Sequence, residues 1–383
     1  MKRANLLLVF LLMAVLPLSA KYVDPGTARK AAITFFNNNG VKATQLTDLS
    51  KEAGFPNLYI FNANPGFVVM AADDCTMPIL GYSLTGCFEV KDMPQNLKCW
   101  LQGYNDQIQD VKNKNYPYDS NARDEWQSLI TGNGTKSITE VVVGPLLSTA
   151  WKQQEPFNDL CPENTVTGCV ATAMAQVMKK WDYPKTGIGS HSYYWNGDTY
   201  FADFGNTEYA WEDMLDDYSD PYSYTPEEAN AVATLMYHCG VAVEMKYLAY
   251  QESGSTVQRA GCALTSYFNY SSTFIRKADF TNAAWISRIT DDLDHGMPVL
   301  YGGSYEEQDG GHAFVCDGYN SENYLHFNWG WGPGSEGYYT VETGGHSFTR
   351  GQNAVVNIKP IGCLAGKPSI SRSEERFSRN AET

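Results

Sequence analysis

The chain has 383 residues, of which 43% are hydrophobic and 19% are charged, and its formal net charge at pH 7 is −15. This hydrophobic share is enough to bury a core, which excludes a chain that is disordered as a whole. The acidic balance argues against nucleic acid or an anionic membrane as the main partner.

The N-terminal segment, 1–20, has the pattern of a secretory signal peptide. Positive charge at Lys2 and Arg3 precedes an apolar run over residues 6–18, and the small residue Ala20 follows. The run is too short for a membrane span and lacks a stop-transfer flank. We therefore predict a secreted protein, extracellular or at the periplasm or outer surface in transit, with no membrane anchor.

Residues 21–112 predict a small α+β domain. Strand-like runs flank an Asn-Ala-Asn-Pro stretch, which is a hairpin signal, and apolar residues at helical spacing lie on either side. In chain order the predicted elements are a helix, two strands of a hairpin, a third strand and a second helix: residues 27–38, 58–61, 66–70, 79–82 and 94–111.

Residues 113–138 are rich in Asn, Asp, Gly, Ser and Lys and show no hydrophobic period. This composition predicts a linker, and polar linkers are preferred sites of proteolysis. Arg123 and Lys136 are its candidate activation sites.

Residues 139–360 predict a second domain in which a helical part precedes an antiparallel sheet or barrel. Its predicted helices follow Cys169 as far as Trp181 and then cover residues 226–239, 257–268 and 283–294. Its predicted strands cover residues 298–301, 312–317, 324–328, 337–341 and 353–358. The polar tail, residues 361–383, is predicted to be disordered.

Cys169 lies where a polar loop becomes an amphipathic helix. Unpaired backbone N–H groups and the helix dipole favour a thiolate at such a position. Gly168, directly before it, leaves room for a substrate backbone. A buried structural cysteine is the usual interpretation of a cysteine in a helix, so the choice depends on its partners.

The chain has nine cysteines, an odd number for a secreted protein, and no C-x-x-C pair that would indicate a zinc site. No metal is predicted. Cys161 is the competing nucleophile, but no helix start follows it directly.

Among six histidines, His312 is the candidate base. It follows two glycines and begins an apolar strand. Its separation from Cys169 along the chain falls within the range of papain-like enzymes, which place their histidine and asparagine ~130–150 residues after the cysteine. Asn328 follows further along the chain and begins an Asn-Trp-Gly-Trp-Gly run.

Four segments together are similar to the streptopain family of bacterial cysteine peptidases. They are an upstream segment, the nucleophile segment, a histidine segment and a tryptophan segment: residues 151–158, 165–176, 311–318 and 327–332. Residues 66–69 and 78–82 resemble the inhibitory pro-segment of these enzymes. The resemblance covers about residues 22–360.

The resemblance implies an α+β fold, with a papain-like two-part catalytic domain after a small α+β pro-domain. It implies a Cys169–His312 pair that needs no cofactor, and an oxyanion hole that includes Gln153, with Gln154 as the competitor. A second cysteine three residues before the nucleophile, typical of papain, is absent. The residue that orients or shields His312 stays open among three candidates: Asn328, Trp329 and Trp331.

We therefore expect a secreted cysteine endopeptidase made as an inactive zymogen, with protein or peptide substrates and its own pro-domain as inhibitor. One alternative is a Cys-His amide hydrolase that acts on cell wall. Another is a non-catalytic adhesin with a peptidase-like fold, although the intact set of Cys169, His312, Gln153 and Asn328 argues against it.

Overall fold

The computed structural model describes eight stretches of the chain: residues 21–91, 93–114, 120–132, 140–248, 253–303, 312–343, 346–347 and 351–362. The predicted signal peptide, Lys136 and residues 363–383 of the predicted tail lie outside these stretches. No helix in the described stretches is long and apolar enough to cross a membrane.

The described part of the first domain contains four helices and four strands. Its helices are α1 (Pro25–Asn38), α2 (Ser50–Ala53), α3 (Gln95–Lys114) and α4 (Ser120–Thr131). Its strands are β1 (Thr47–Asp48), β2 (Leu58–Asn62), β3 (Phe67–Ala71) and β4 (Ile79–Ser83). The two helices and three strands predicted for residues 21–112 are thereby confirmed.

Helix α4 lies within residues 113–138, which the sequence predicted to be a polar linker with no hydrophobic period. It buries Ala122, Trp126 and Leu129, and the indole N–H of Trp126 donates to the Thr76 carbonyl at 3.0 Å. These three residues lie on one helix face, but the polar residues between them hide the period. Arg123 is exposed on this helix, so cleavage after it would require α4 to open.

The four predicted helices and five predicted strands of the second domain are present, but four further strands lie before and among the helices. Its helices are α5 (Cys169–Trp181), α6 (Pro226–Ala242), α7 (Val257–Tyr267) and α8 (Asn282–Asp294). The strands before α8 are β5 (Val141–Val143), β6 (Ser190–Trp195), β7 (Asp198–Asp203) and β8 (Tyr270–Arg276). Those after it are β9 (Val299–Gly303), β10 (His312–Asn320), β11 (Leu325–Asn328), β12 (Gly337–Tyr339), β13 (Glu342–Thr343), β14 (His346–Ser347) and β15 (Asn353–Pro360).

The two domains share one antiparallel sheet. Its strand order is β1-β2-β3-β4-β12-β11-β10-β9-β15-β8, and β5 pairs with β10. The domains meet where β4 pairs with β12, with Tyr82 opposite Tyr338 and Gly81 opposite Tyr339.

Strand β10 lies between two hydrophobic cores. Ala313 and Val315 pack into the core that contains α5, α6 and α7. Phe314 and Cys316 pack into the other core, which is continuous with the core of the first domain. Because successive side chains of a strand point to opposite faces, β10 connects the helical part of the second domain to the first domain.

Candidate active site

Cys169 is the first residue of α5, as the sequence predicts. Gly168 is the N-cap residue, with φ 87°, in the region that favours glycine. A Cβ at position 168 would lie 2.6 Å from the Met245 side chain and 3.0 Å from the Ser253 carbonyl. Glycine is therefore required here both for backbone conformation and for space.

The sulfur of Cys169 contacts the strand that His312 begins. The backbone N–H of Ala313 donates to Cys169 Sγ at 3.3 Å. His312 directly precedes Ala313, and β10 pairs in regular register with β9 from His312 to Cys316. The fold thus places the predicted nucleophile in contact with the residue that directly follows the predicted base.

The environment of the Cys169 thiol has two opposing effects on its pKa. Burial raises the pKa, and backbone N–H groups of Ala313, Val170 and Cys169 itself lower it. Burial dominates, so the pKa lies above its ordinary value in the full chain. This environment therefore favours the neutral thiol in the full chain.

Gln153 is buried, with 3% exposure, whereas Gln154 is half-buried. The Gln153 carbonyl accepts a hydrogen bond from the N–H of Thr167, two residues before Cys169, at 3.2 Å. The upstream segment therefore lies directly against the loop that leads into α5.

Asn328 is 2% exposed, and its amide contacts three partners. Its Oδ1 accepts from Gln176 Nε2 and from the Gly330 N–H, each at 3.0 Å. Its Nδ2 donates to the Thr149 carbonyl at 2.9 Å. These contacts connect Asn328 to α5 and to the residues just before the upstream segment, a set of partners that the sequence did not indicate.

The two tryptophans after Asn328 differ in their surroundings. Trp329 is fully buried, donates from its indole N–H to the Ser335 carbonyl at 3.0 Å, and packs 4.7 Å from the Phe314 ring between centroids. Trp331 is half-buried. The position of Trp329 makes it part of the core behind β10.

Helix α3 of the first domain reaches the backbone next to these residues. The Nδ2 of Asn96 donates to the Ala313 carbonyl at 3.2 Å and to the Trp329 carbonyl at 2.7 Å. One turn further on, the Trp100 ring packs 5.1 Å from Phe327 between centroids. In sequence Asn96 is one more polar residue on a helix, and only the tertiary structure gives it these partners.

A cysteine at a helix start, beside a histidine-bearing strand of an antiparallel sheet, defines a papain-like cysteine hydrolase. Residues 151–339 match the family described as Peptidase C10 family, and residues 20–108 match the family described as Spi protease inhibitor. The chain belongs to the Peptidase C10 family and is a cysteine peptidase with a Spi-type inhibitor domain ahead of its catalytic domain. We call these two parts the pro-domain and the catalytic domain from here on.

Two curated relatives illustrate the range of similarity. Streptopain of Streptococcus pyogenes is 32% identical over 87% of this chain and 91% of its own length. The thiol protease/hemagglutinin PrtT of Porphyromonas gingivalis is 30% identical over 79% of this chain but 37% of its own length.

Two solved structures from Prevotella intermedia are similar in fold. A prointerpain A fragment matches with a TM-score of 0.69 at 34% identity, covering 85% of this chain and 99% of that one. Active wild-type interpain A cysteine protease matches with a TM-score of 0.51 at 42% identity, covering 56% of this chain and 93% of that one. The match to the pro-form extends over both domains, which confirms the predicted architecture.

Proposed function

We propose that this protein is a secreted cysteine endopeptidase, made as a zymogen, in which Cys169 is the nucleophile and His312 its acid–base partner. The observation that carries the assignment is the contact between the Cys169 sulfur, at a helix start, and the N–H of the residue that follows His312. Histidine suits the role because its ordinary pKa lies near neutrality.

The reaction follows from these groups. The Cys169 thiolate bonds to the scissile carbonyl carbon, and the imidazolium of His312 gives its proton to the departing amine. Water then attacks the thioester with His312 as base, which releases the acid and restores the cysteine.

The oxyanion of each step needs donors near the sulfur. The N–H of Cys169 belongs to the first turn of α5, where backbone donors lack helical partners. Gln153 lies on the segment bonded to the loop before α5 and is the proposed side-chain donor. Such a donor contributes ~3 kcal/mol to the transition state.

The pro-domain is the proposed inhibitor. Asn96 donates to the carbonyls of Ala313 and Trp329, and the Trp100 ring packs against Trp329, so the pro-domain lies against the strand that begins at the proposed base. Removal of the pro-domain would open this site to solvent and substrate.

The test is hydrolysis of denatured casein by the activated protein, with and without a thiol alkylator. We expect cleavage that the alkylator abolishes, and no cleavage by Cys169→Ala. Release of soluble fragments from peptidoglycan, without casein cleavage, would instead support a cell-wall amide hydrolase. Activity on neither substrate would support a non-catalytic binding protein.

Secretion rests on the signal-peptide pattern of the segment 1–20. Expression in a bacterial host with its own export system should yield a protein that begins just after Ala20. A cytoplasmic product that retains Met1 would contradict secretion without affecting the assignment of the nucleophile.

A further inference from the structure

A buried polar network lies beneath the Cys169 loop and takes no part in the reaction described above. Its centre is Gln176, on α5 two turns after Cys169, with 0% exposure. Thr149 and Asn328 bond to it and are 4% and 2% exposed. Thr167 and Thr172, which bond to each other closer to Cys169, are 0% exposed. Polar side chains so deeply buried destabilise a protein unless they are hydrogen-bonded.

The orientation of each amide in this network is determined by backbone groups. Asn328 Oδ1 must face the Gly330 N–H, because a backbone N–H can only donate, and its Nδ2 must face the Thr149 carbonyl, which can only accept. Gln176 Nε2 therefore faces Asn328 Oδ1 at 3.0 Å. Its Oε1 is left to accept from the Thr149 hydroxyl at 2.8 Å.

The network joins three separate segments of the candidate site. Gln176 lies on the helix of Cys169, Thr149 lies four residues before Gln153, and Asn328 begins the turn that carries Trp329 and Trp331. A Cβ on Gly330 would lie 3.2 Å from the Thr172 side chain and 3.7 Å from Gln176 Nε2, so this turn lies directly against α5.

Thr172, one turn before Gln176 on the same face of α5, belongs to a second buried group of hydrogen bonds at the nucleophile loop. Its hydroxyl bonds the Thr167 hydroxyl at 2.7 Å and donates to the Gly168 carbonyl at 3.1 Å. The two residues that directly precede Cys169, Thr167 and Gly168, are thus both bonded to Thr172, on the same helix face as Gln176.

We propose that Gln176 is a positioning residue for the peptidase reaction. Through its bonds to Thr149 and Asn328 it holds the Cys169 helix in a fixed relation to the Gln153 segment and the tryptophan turn. The inference rests on the proposed function, because it assigns the reacting groups to these segments. Small displacements of reacting groups cost up to ~100-fold in rate, so the effect should be in kcat.

The main test variant is Gln176→Met, which has a similar length but cannot hydrogen-bond. Val177→Ala is the matched control, because Val177 is fully buried on the same helix but packs into the apolar core. Tagged wild-type enzyme digests the pro-domain of every variant in trans and is then removed, so activation does not depend on a variant's own activity. Active sites are counted as the fraction of Cys169 that a thiol alkylator labels, read by mass spectrometry of its peptide, because Cys262 is a further exposed thiol.

We expect Gln176→Met to lower kcat for a peptide substrate by about 10- to 100-fold with KM within about twofold. Val177→Ala, at a similar loss of Tm, should keep kcat within about twofold. A kcat for Gln176→Met within twofold of wild type, or no lower than that of the control, would overturn the proposal.

Gln176→Glu provides a second readout that stays informative if Gln176→Met does not fold. As a carboxylate, residue 176 would repel Asn328 Oδ1, but once protonated it can donate there and still accept from Thr149. No other side chain in the network titrates between pH 5 and 8. The ratio of its kcat to that of wild type should therefore rise as pH falls, and a ratio independent of pH would overturn the proposal.

Failure of the proposed function would have a different signature. If Cys169→Ala keeps its activity, Cys169 is not the nucleophile, and both proposals are overturned. If Cys169→Ala is inactive while Gln176→Met matches wild type, the positioning role alone is wrong.

Discussion

Replacing Trp100 by alanine should open the candidate site in the uncleaved chain. Trp100 belongs to the pro-domain, but its ring packs between centroids at 5.1 Å from Phe327, 5.8 Å from Phe314 and 6.3 Å from Trp329, all in the catalytic domain. Replacing a buried tryptophan by alanine costs ~3–5 kcal/mol. We take the lower end for the contact between the domains, because part of the cost is the loss of the hydrogen bond from Trp100 to Tyr104 on its own helix.

A loss of ~3 kcal/mol in the contact between the domains raises the population of the open state about 100-fold. The assay is the rate at which a thiol reagent labels Cys169 in the uncleaved chain, followed by mass spectrometry of the peptide that contains it. That rate should rise by about the same factor, provided that opening and closing are fast relative to labelling.

Cys75 supplies the internal control. It is buried in the pro-domain, with 7% exposure, so its labelling reports opening of the pro-domain itself. Slow Cys75 labelling with fast Cys169 labelling would support an opened interface. An unchanged Cys169 rate in a folded Trp100→Ala chain would refute the view that Trp100 holds the domains together.

Three further predictions concern the reacting pair and the sheet junction. Cys169→Ala should fold with a Tm near that of wild type and show no casein cleavage, because Cys169 is only half-buried and the change removes one atom. Burial raises the Cys169 pKa in the full chain, so its labelling should accelerate only when the pH exceeds the ordinary thiol pKa of ~8.5. In the activated enzyme Cys169 should be labelled at mildly acidic pH. His312→Ala should abolish that acidic labelling. Gly81→Ala should loosen the pro-domain and speed Cys169 labelling, since its Cβ would lie 2.4 Å from the buried Tyr339 ring, whereas Gly86→Ala, with 3.4 Å to its nearest neighbour, should behave as wild type.

The parts of the site that the sequence predicted are those with a local signal. The start of α5 follows from the apolar period after Cys169 and from Gly168, whose φ of 87° only glycine adopts readily. The strand that begins at His312 follows from an apolar run after two glycines. The contact between the two required the family resemblance, because Cys169 and Ala313 are 144 residues apart.

The parts that the sequence did not predict depend on pairing between distant segments. Asn96 is separated from the Trp329 carbonyl by 233 residues, and Gln176 from Asn328 by 152. Within its own helix, Gln176 is only a polar interruption of an apolar pattern. Helix α4 was missed for a different reason: its buried residues are few, and Trp126 gains its stability from Thr76 rather than from its own helix.

The shared sheet also bears on activation. The sequence predicted release of the pro-domain by a cut in the linker, but β4 pairs with β12 along the backbone, and Asn96 and Trp100 add contacts that no linker cut removes. A cut in the linker lowers the effective concentration of the pro-domain from about the millimolar range. The two domains then separate only if their affinity for each other is weak.

We expect a Cys169→Ala chain cut once between α4 and β5 to elute from a sizing column at micromolar concentration as one complex of unchanged mass. The same cut in a Cys169→Ala, Trp100→Ala chain should give two separate species. Separation of the singly substituted chain after the cut would show that the tether, rather than the shared sheet and its aromatic contacts, holds the pro-domain in place.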